Sequence, residues 1–428
     1  MNSAITIASA VRDGHITAVE VTDTCLAALE NAGRSLVAVT RLLGDRARHE
    51  AGAVDAAIAA GRDPGPLAGV PYGVKDLFDV EGLPTTAGSS RYADAAPAAG
   101  NAETITRLRE AGAVLVATFS MDEFALGFAT INARHGTTRN PHDPDRLAGG
   151  SSGGSAAVVA AELLPFSLGS DTNGSVRVPA SLTGIYGLKP THEALPMGGA
   201  FPFADSFDDV GPFALSVADM QCVWNVLTGT AVVASDDEIR LARLGGRFRD
   251  NGDPDQIAAI DRIAPDAPPF DLPDIARAVG RLPDHRSRRR RAASRRARAR
   301  CDAMAFAPAT RDRLLAGALL PETPNAAAQE FCARYKQMIV ELIADHDVLL
   351  APATPCVAPM IAAPRILIDA ALAVPLRRPG RMPLGLQLKG RPGDEATLFR
   401  FAATLAKKGL IGASSPAEAF QGKVAWRK

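Results

Sequence analysis

The chain has 428 residues, 47% of them hydrophobic, with 47 basic and 47 acidic side chains and a formal net charge of zero. That is enough to bury a large core, and it excludes an acidic disordered chain or a uniformly basic polyanion binder. The zero conceals an asymmetry: residues 281–300 hold ten arginines against one acid, a local +9 offset by −9 over the rest of the chain.

In chain order, residues 18–31 read as an amphipathic helix, with Val19, Val21, Leu26, Ala27 and Leu29 near helical spacing. Residues 36–40 suit a short strand, and 45–60 an alanine-rich helix closed by Gly61. Residues 67–76 are strand-like between turn residues and end on Lys75 and Asp76. A helix over 104–111 and a strand over 114–119 follow, and the alternation recurs at 153–164, 166–168, 175–182 and 185–188. This order predicts an α/β fold around a mixed sheet. Beyond about residue 231 the signal weakens. Residues 251–274 read as loops around a short helix at 255–263, and the arginine segment comes next. A helix over 325–344, a strand over 348–351, a proline-rich stretch over 352–364, a strand over 384–388 and a helix over 395–406 complete the chain. No internal repeat of domain-building length occurs.

The five cysteines (Cys25, Cys222, Cys301, Cys332 and Cys356) are scattered without a C-x-x-C pair. They read as reduced thiols of a cytoplasmic protein, not as a disulfide framework or a zinc site. The first residues lack a basic leader region, and Arg12 and Asp13 interrupt their apolar stretch, so no signal peptide is read. No apolar run is long enough to span a membrane. Neither a metal nor another cofactor is expected.

Lysine is scarce: before Lys336 only Lys75 and Lys189 occur, while arginine supplies the other positive charge. Burial can tune a lysine to neutrality, which arginine does not allow. The densest motif is Gly149-Gly150-Ser151-Ser152-Gly153-Gly154-Ser155, followed by Gly169-Ser170-Asp171-Thr172-Asn173-Gly174-Ser175-Val176-Arg177. Four readings compete. A flexible linker fits poorly between apolar segments. A Walker loop needs a lysine where Ser155 stands. A nucleophile elbow needs a strand leading into its serine, whereas residues 140–146 are a polar turn, and His192, His285 and His346 sit in polar contexts unsuited to a base. The fourth reading joins serine to lysine: a serine hydroxyl needs a base, and a lysine kept neutral by Val74, Leu77 and Phe78 can supply one.

Together with Gly73-Val74-Lys75-Asp76 and Gly187-Leu188-Lys189-Pro190-Thr191, the two clusters resemble the amidase signature family of serine amidohydrolases. The likeness is dense over 67–212 and sparser elsewhere. It implies one domain over residues 1–428, with a mixed central β-sheet covered by helices on both faces. It further implies Ser175 as acyl-forming nucleophile, Lys75 as base and Ser151 as the bridging serine after a cis peptide. Backbone N–H groups of Thr172, Asn173, Gly174 and Ser175 would form the oxyanion hole. Ser152 and Ser170 would give hydrogen-bonding support, and Asp171 and Arg177 would pair to brace the turn. Lys189 is read as structural.

Asn173, together with residues 121–128, 138–143 and 248–251, is most similar to the biuret-pathway branch of the family. The branch implies ammonia release from a small carboxylated urea-like amide, and it leaves room for a homo-oligomer and for a small partner subunit. The alternatives are the amide-hydrolysing subunit of a tRNA-dependent amidotransferase and a catalytically impaired relative serving within a complex. Two departures bear on activity. Residues 281–300 interrupt the likeness until about Pro308. They read either as an exposed basic helix or loop or as the out-of-frame product of a GC-rich gene, and a nucleic-acid site is disfavoured. Between Asp369 and Pro375 the connection is short, so a core strand of the family is expected to be missing.

Overall fold

The structure, a computed structural model, describes residues 3–232, 237–267, 269–273, 306–319, 322–362 and 372–415. The arginine segment, Cys301 and His285 lie outside the described residues. Helices α1 (Ala4–Arg12), α2 (Ala18–Ala28) and α3 (Gly44–Ala59) open the chain. A reciprocal capping box between Thr17 and Glu20 starts α2. A π-turn over Leu29–Gly33 extends that helix, and its closure shifts strand β1 to Val39–Leu42, later than the sequence pattern suggests. Leu36 N–H donates back to Ala32 O (3.1 Å), and Val37 takes φ +55°, so neither can begin a strand.

Alternating units follow: β2 (Pro71–Lys75), α4 (Glu103–Glu110), β3 (Val114–Phe119), α5 (Gly153–Ala160), β4 (Phe166–Asp171), α6 (Arg177–Thr183) and β5 (Tyr186–Gly187). Then come β6 (Asp209–Ala214), α7 (Val217–Thr228), β7 (Leu241–Leu244), α8 (Arg247–Asp250), α9 (Pro254–Ile263) and β8 (Pro269–Phe270). The last elements are α10 (Pro308–Leu319), α11 (Glu322–Leu342), β9 (Val348–Pro352), β10 (Leu372–Pro375), β11 (Gly385–Gly390) and α12 (Glu395–Lys407). No helix among the described residues is long and apolar enough to cross a membrane.

The strands form one mixed sheet in the order β1-β3-β2-β4-β6-β5-β10-β11-β9-β7-β8. Strand β2 runs parallel to β3 and β4, while β4–β6 and β9–β11 are antiparallel. Every residue of β2, β3, β4 and β6 is buried, which an open sheet achieves only with helices on both faces. The polar run before Ser151 forms a small separate ribbon of Arg139–Asn140 with Asp143–Leu147.

The expected gap in the sheet does not exist. The short connection itself supplies β10, which pairs with β11 over four positions and with β5 through Ala373↔Gly187. Four small or branched residues suffice because the neighbouring strands already supply the surrounding apolar surface.

Candidate active site

Parallel registration of β2 and β4 (Tyr72↔Phe166, Val74↔Leu168) places their C-terminal ends side by side. That end is where open α/β sheets leave a crevice. Lys75, the last residue of β2, is fully buried there and donates to Ser151 Oγ (2.7 Å) and Ser170 Oγ (2.9 Å). Removal from water disfavours the ammonium and brings Lys75 down from 10.5 to about 7, although Asp122, Asp171 and Asp208 pull the other way. A lysine in this setting exists as amine and ammonium in comparable amounts near neutral pH.

Ser151 follows a cis Gly150–Ser151 peptide and opens into α5. Gly150 has no room for a side chain: a Cβ there would stand 2.4 Å from Asp122 Oδ2 and 2.7 Å from the N–H nitrogens of Ala129 and Thr130. Helix α5 is buried throughout, and Ser155 Oγ donates to Leu168 O (3.0 Å) of β4, which fixes its start against the sheet. Ser152 N–H donates to Ser175 O (3.2 Å), and Ser152 Oγ both donates to Ser170 O (3.1 Å) and accepts from Ser170 N–H (3.3 Å). These bonds tie the two Gly/Ser clusters together. Ser175 is 2% exposed at the turn leading into α6.

Asp171 organises that turn. Its carboxylate takes Arg177 as a bidentate partner (2.9 and 2.8 Å) and accepts N–H groups from Gly174 (2.7 Å), Val176 (3.0 Å) and Arg177 (3.3 Å). Burial alone would raise the carboxyl, but Arg177, Lys189 and the Gly174 N–H outweigh it and hold Asp171 below the ordinary carboxylate range. Gly174, at φ +114°, turns its N–H toward Asp171 and is committed there. The Thr172 hydroxyl donates to Asp208 (2.6 Å). Lys189 is paired with Asp209 (2.5 Å) and the Pro190 carbonyl (2.8 Å).

Asp122, Thr130 and Asp208 were not singled out in the sequence. All three are buried beside these clusters, and burial raises the two carboxyls above their ordinary value. Asp208 accepts the N–H groups of Phe203 and Ala204 (both 2.6 Å). The signal that could have found Asp122 is an acid between Met121 and the apolar stretch that begins at Phe124, a poor place for a solvated charge. Among the described residues, no group of three or more His, Cys, Asp or Glu could hold a metal. A cavity of about 590 Å³ between α4 and α7, lined by Arg107, Glu110, Cys222 and Thr228, shares no residue with this site.

Residues 20–240 match the family model described as Amidase. The chain belongs to the amidase family. It is 37% identical to AtzE, the 1-carboxybiuret hydrolase subunit of Pseudomonas sp. (strain ADP), over 95% of this chain and 98% of that one. It is 46% identical to a glutamyl-tRNA(Gln) amidotransferase subunit of Chloroflexus aurantiacus, but over only 52% of this chain and 45% of that protein. A solved chain from a vestigial protein complex, reported to reveal the evolutionary origins of an s-triazine catabolic enzyme, superposes with a TM-score of 0.89. That match is at 35% identity and covers 97% of this amidase and all of the solved chain.

Proposed function

We propose that this amidase hydrolyses the terminal C–N bond of a small carboxylated urea- or biuret-type amide through an acyl-enzyme on Ser175, releasing ammonia. One observation carries the reading: a buried Lys75, lowered to about 7, hydrogen-bonded to Ser151 within the cluster that holds Ser175. Neutral Lys75 accepts the Ser151 hydroxyl proton as Ser151 takes the proton of Ser175. The Ser175 oxygen then attacks the substrate carbonyl carbon. Negative charge collects on the carbonyl oxygen, where the N–H groups of Thr172, Asn173 and Ser175 receive it; one such donor is worth about 100- to 1000-fold in rate. The proton returns through Ser151 to the leaving nitrogen, ammonia departs, and water cleaves the ester by the same relay in reverse.

The substrate class follows the relative matched along its whole length, and that relative is itself called a subunit. Self-association and a small partner subunit belong to this proposal, with one catalytic domain over the chain. The four described cysteines are unpaired, which fits a cytoplasmic location. The amidotransferase reading is favoured by the higher identity over about half of this chain, and it predicts dependence on partner proteins and charged tRNA.

The test is ammonia release across a panel of biuret-type and simple amides. Wild type should turn over at least one carboxylated urea-like compound without tRNA, and Ser175→Ala should remove about 10⁴-fold or more of kcat. Ser175→Ala turning over at the wild-type rate overturns the reading.

A further inference from the structure

Thr130 is buried, yet its backbone is left-handed at φ +50°. For a β-branched residue this is a genuine outlier, and such strain persists only where the surroundings enforce it. The enforcement is visible. The Asp122 carboxylate accepts three consecutive N–H groups, from Ala129 (3.2 Å), Thr130 (2.9 Å) and Ile131 (3.2 Å), and fixes the turn around its oxygens. Glycine or asparagine would tolerate this backbone better, so the hydroxyl of threonine is the feature to explain.

That hydroxyl both donates and accepts. Thr130 Oγ1 donates to Gly149 O (2.8 Å) and accepts from Gly153 N–H (2.9 Å). The two partners lie two residues before and two residues after Ser151. On the other side, Asp122 N–H donates to Ser151 O (3.3 Å). The segment carrying Ser151 is therefore gripped at three points by one turn, and the Thr130 hydroxyl supplies two of them. Space is as tight as the bonding: a Cβ on Gly153 would stand 2.4 Å from Thr130 Oγ1.

We propose that Thr130 is a positioning residue for Ser151: its single hydroxyl bridges Gly149 and Gly153 and holds the Ser151 oxygen where Lys75 and Ser175 can both use it. Thr130 touches neither the substrate nor a reacting atom; it acts through Ser151. The role rests on the proposed seryl relay. A displacement of the relay oxygen by about 1 Å is enough to cost roughly 100-fold.

The experiment measures kcat and KM for ammonia release in Thr130→Val, Thr130→Ser and Ser151→Ala, and in the Thr130→Val/Ser151→Ala double variant. Circular dichroism confirms that each is folded. Thr130→Val keeps the shape and removes the bridge, so kcat should fall about 10- to 100-fold with KM within about twofold. Thr130→Ser restores the hydroxyl and should return to within about threefold of wild type. Because Thr130 acts through Ser151, the double variant should be no slower than Ser151→Ala alone. Should Thr130→Val stay folded, a wild-type kcat in it overturns the role; should it fold poorly, Thr130→Ser no faster than Thr130→Val, or losses in the double variant that multiply, does the same. The relay reading fails separately, when Ser175→Ala remains active.

Discussion

The two halves of the sheet are built differently. The strands β2, β3, β4 and β6 are buried at every position; β2, β3 and β4 end, and antiparallel β6 begins, beside the polar cluster around Lys75, Asp171 and Ser175. In the other half, β7 and β9 turn one face to a smaller core of Ala242, Leu244, Ile339 and Leu349. Similarity is also uneven: the Amidase family model matches residues 20–240, while the 1-carboxybiuret hydrolase relative is 37% identical over 95% of the chain. The first half carries what marks the family, and the second half completes the sheet beside α6.

Three measurements can break or sharpen this contrast. The largest effect is expected at Arg177→Met, which leaves the Asp171 carboxylate buried beside three N–H donors without its countercharge. Stability by urea unfolding near pH 7 should drop by about 3–5 kcal/mol. The sign with pH is set by the same pair. Asp171 sits below its ordinary 3.8 when folded, so its contribution is present above that value and is lost as pH falls through the folded value. In Arg177→Met burial dominates, and this dependence should vanish or reverse. Unchanged stability would mean that the pair does not brace the turn.

A second-half core substitution comes next. Leu386, fully buried in β11, pairs with Val374 and Pro352. Leu386→Ala should cost about 2–5 kcal/mol of stability. It should leave the pH profile of kcat/KM where wild type has it; a shift would show that the second half tunes the chemistry after all.

The smallest effect is the profile itself. With Lys75 as base at about 7, kcat/KM should fall about tenfold per pH unit below that point and level off above it. The folded value lies below the unfolded 10.5, so the cost of burying Lys75 is full below about 7 and fades as pH rises toward 10.5. An acid limb near 4 would point to a carboxylate instead.

Much of the first half was legible because its signals are local. The strand-like segment over 67–76, the apolar run over 114–119, helix stops at glycine and the spacing of the Gly/Ser clusters need no knowledge of distant partners. The strand β6 was missed because Gly211-Pro212 interrupts its pattern, although β4 and β5 on either side complete the pairing. Helix α7 and strand β7 were missed where composition alone decided little. Strand β10 reads in the sequence as an absent element, since four residues between turns look like a connection until β5 and β11 flank them. Asp122 and Thr130 were passed over for a different reason. The Thr130 hydroxyl has its partners 19 and 23 residues away, and Asp122 lies in the 121–128 segment, whose resemblance by itself assigns that carboxylate no role.

The two halves of the sheet meet at a single paired position, Ala373 with Gly187. Helix α6 lies directly across that joint: Ala180 is so close to Gly187 that a Cβ there would come within 2.6 Å, and Ser181 Oγ accepts Gly385 N–H (3.0 Å) from the far side. The helix after Ser175 is thus a staple over a seam. A protein docking at β10 or β11 would have a short mechanical route to the serine turn, with no loop in between to absorb the motion.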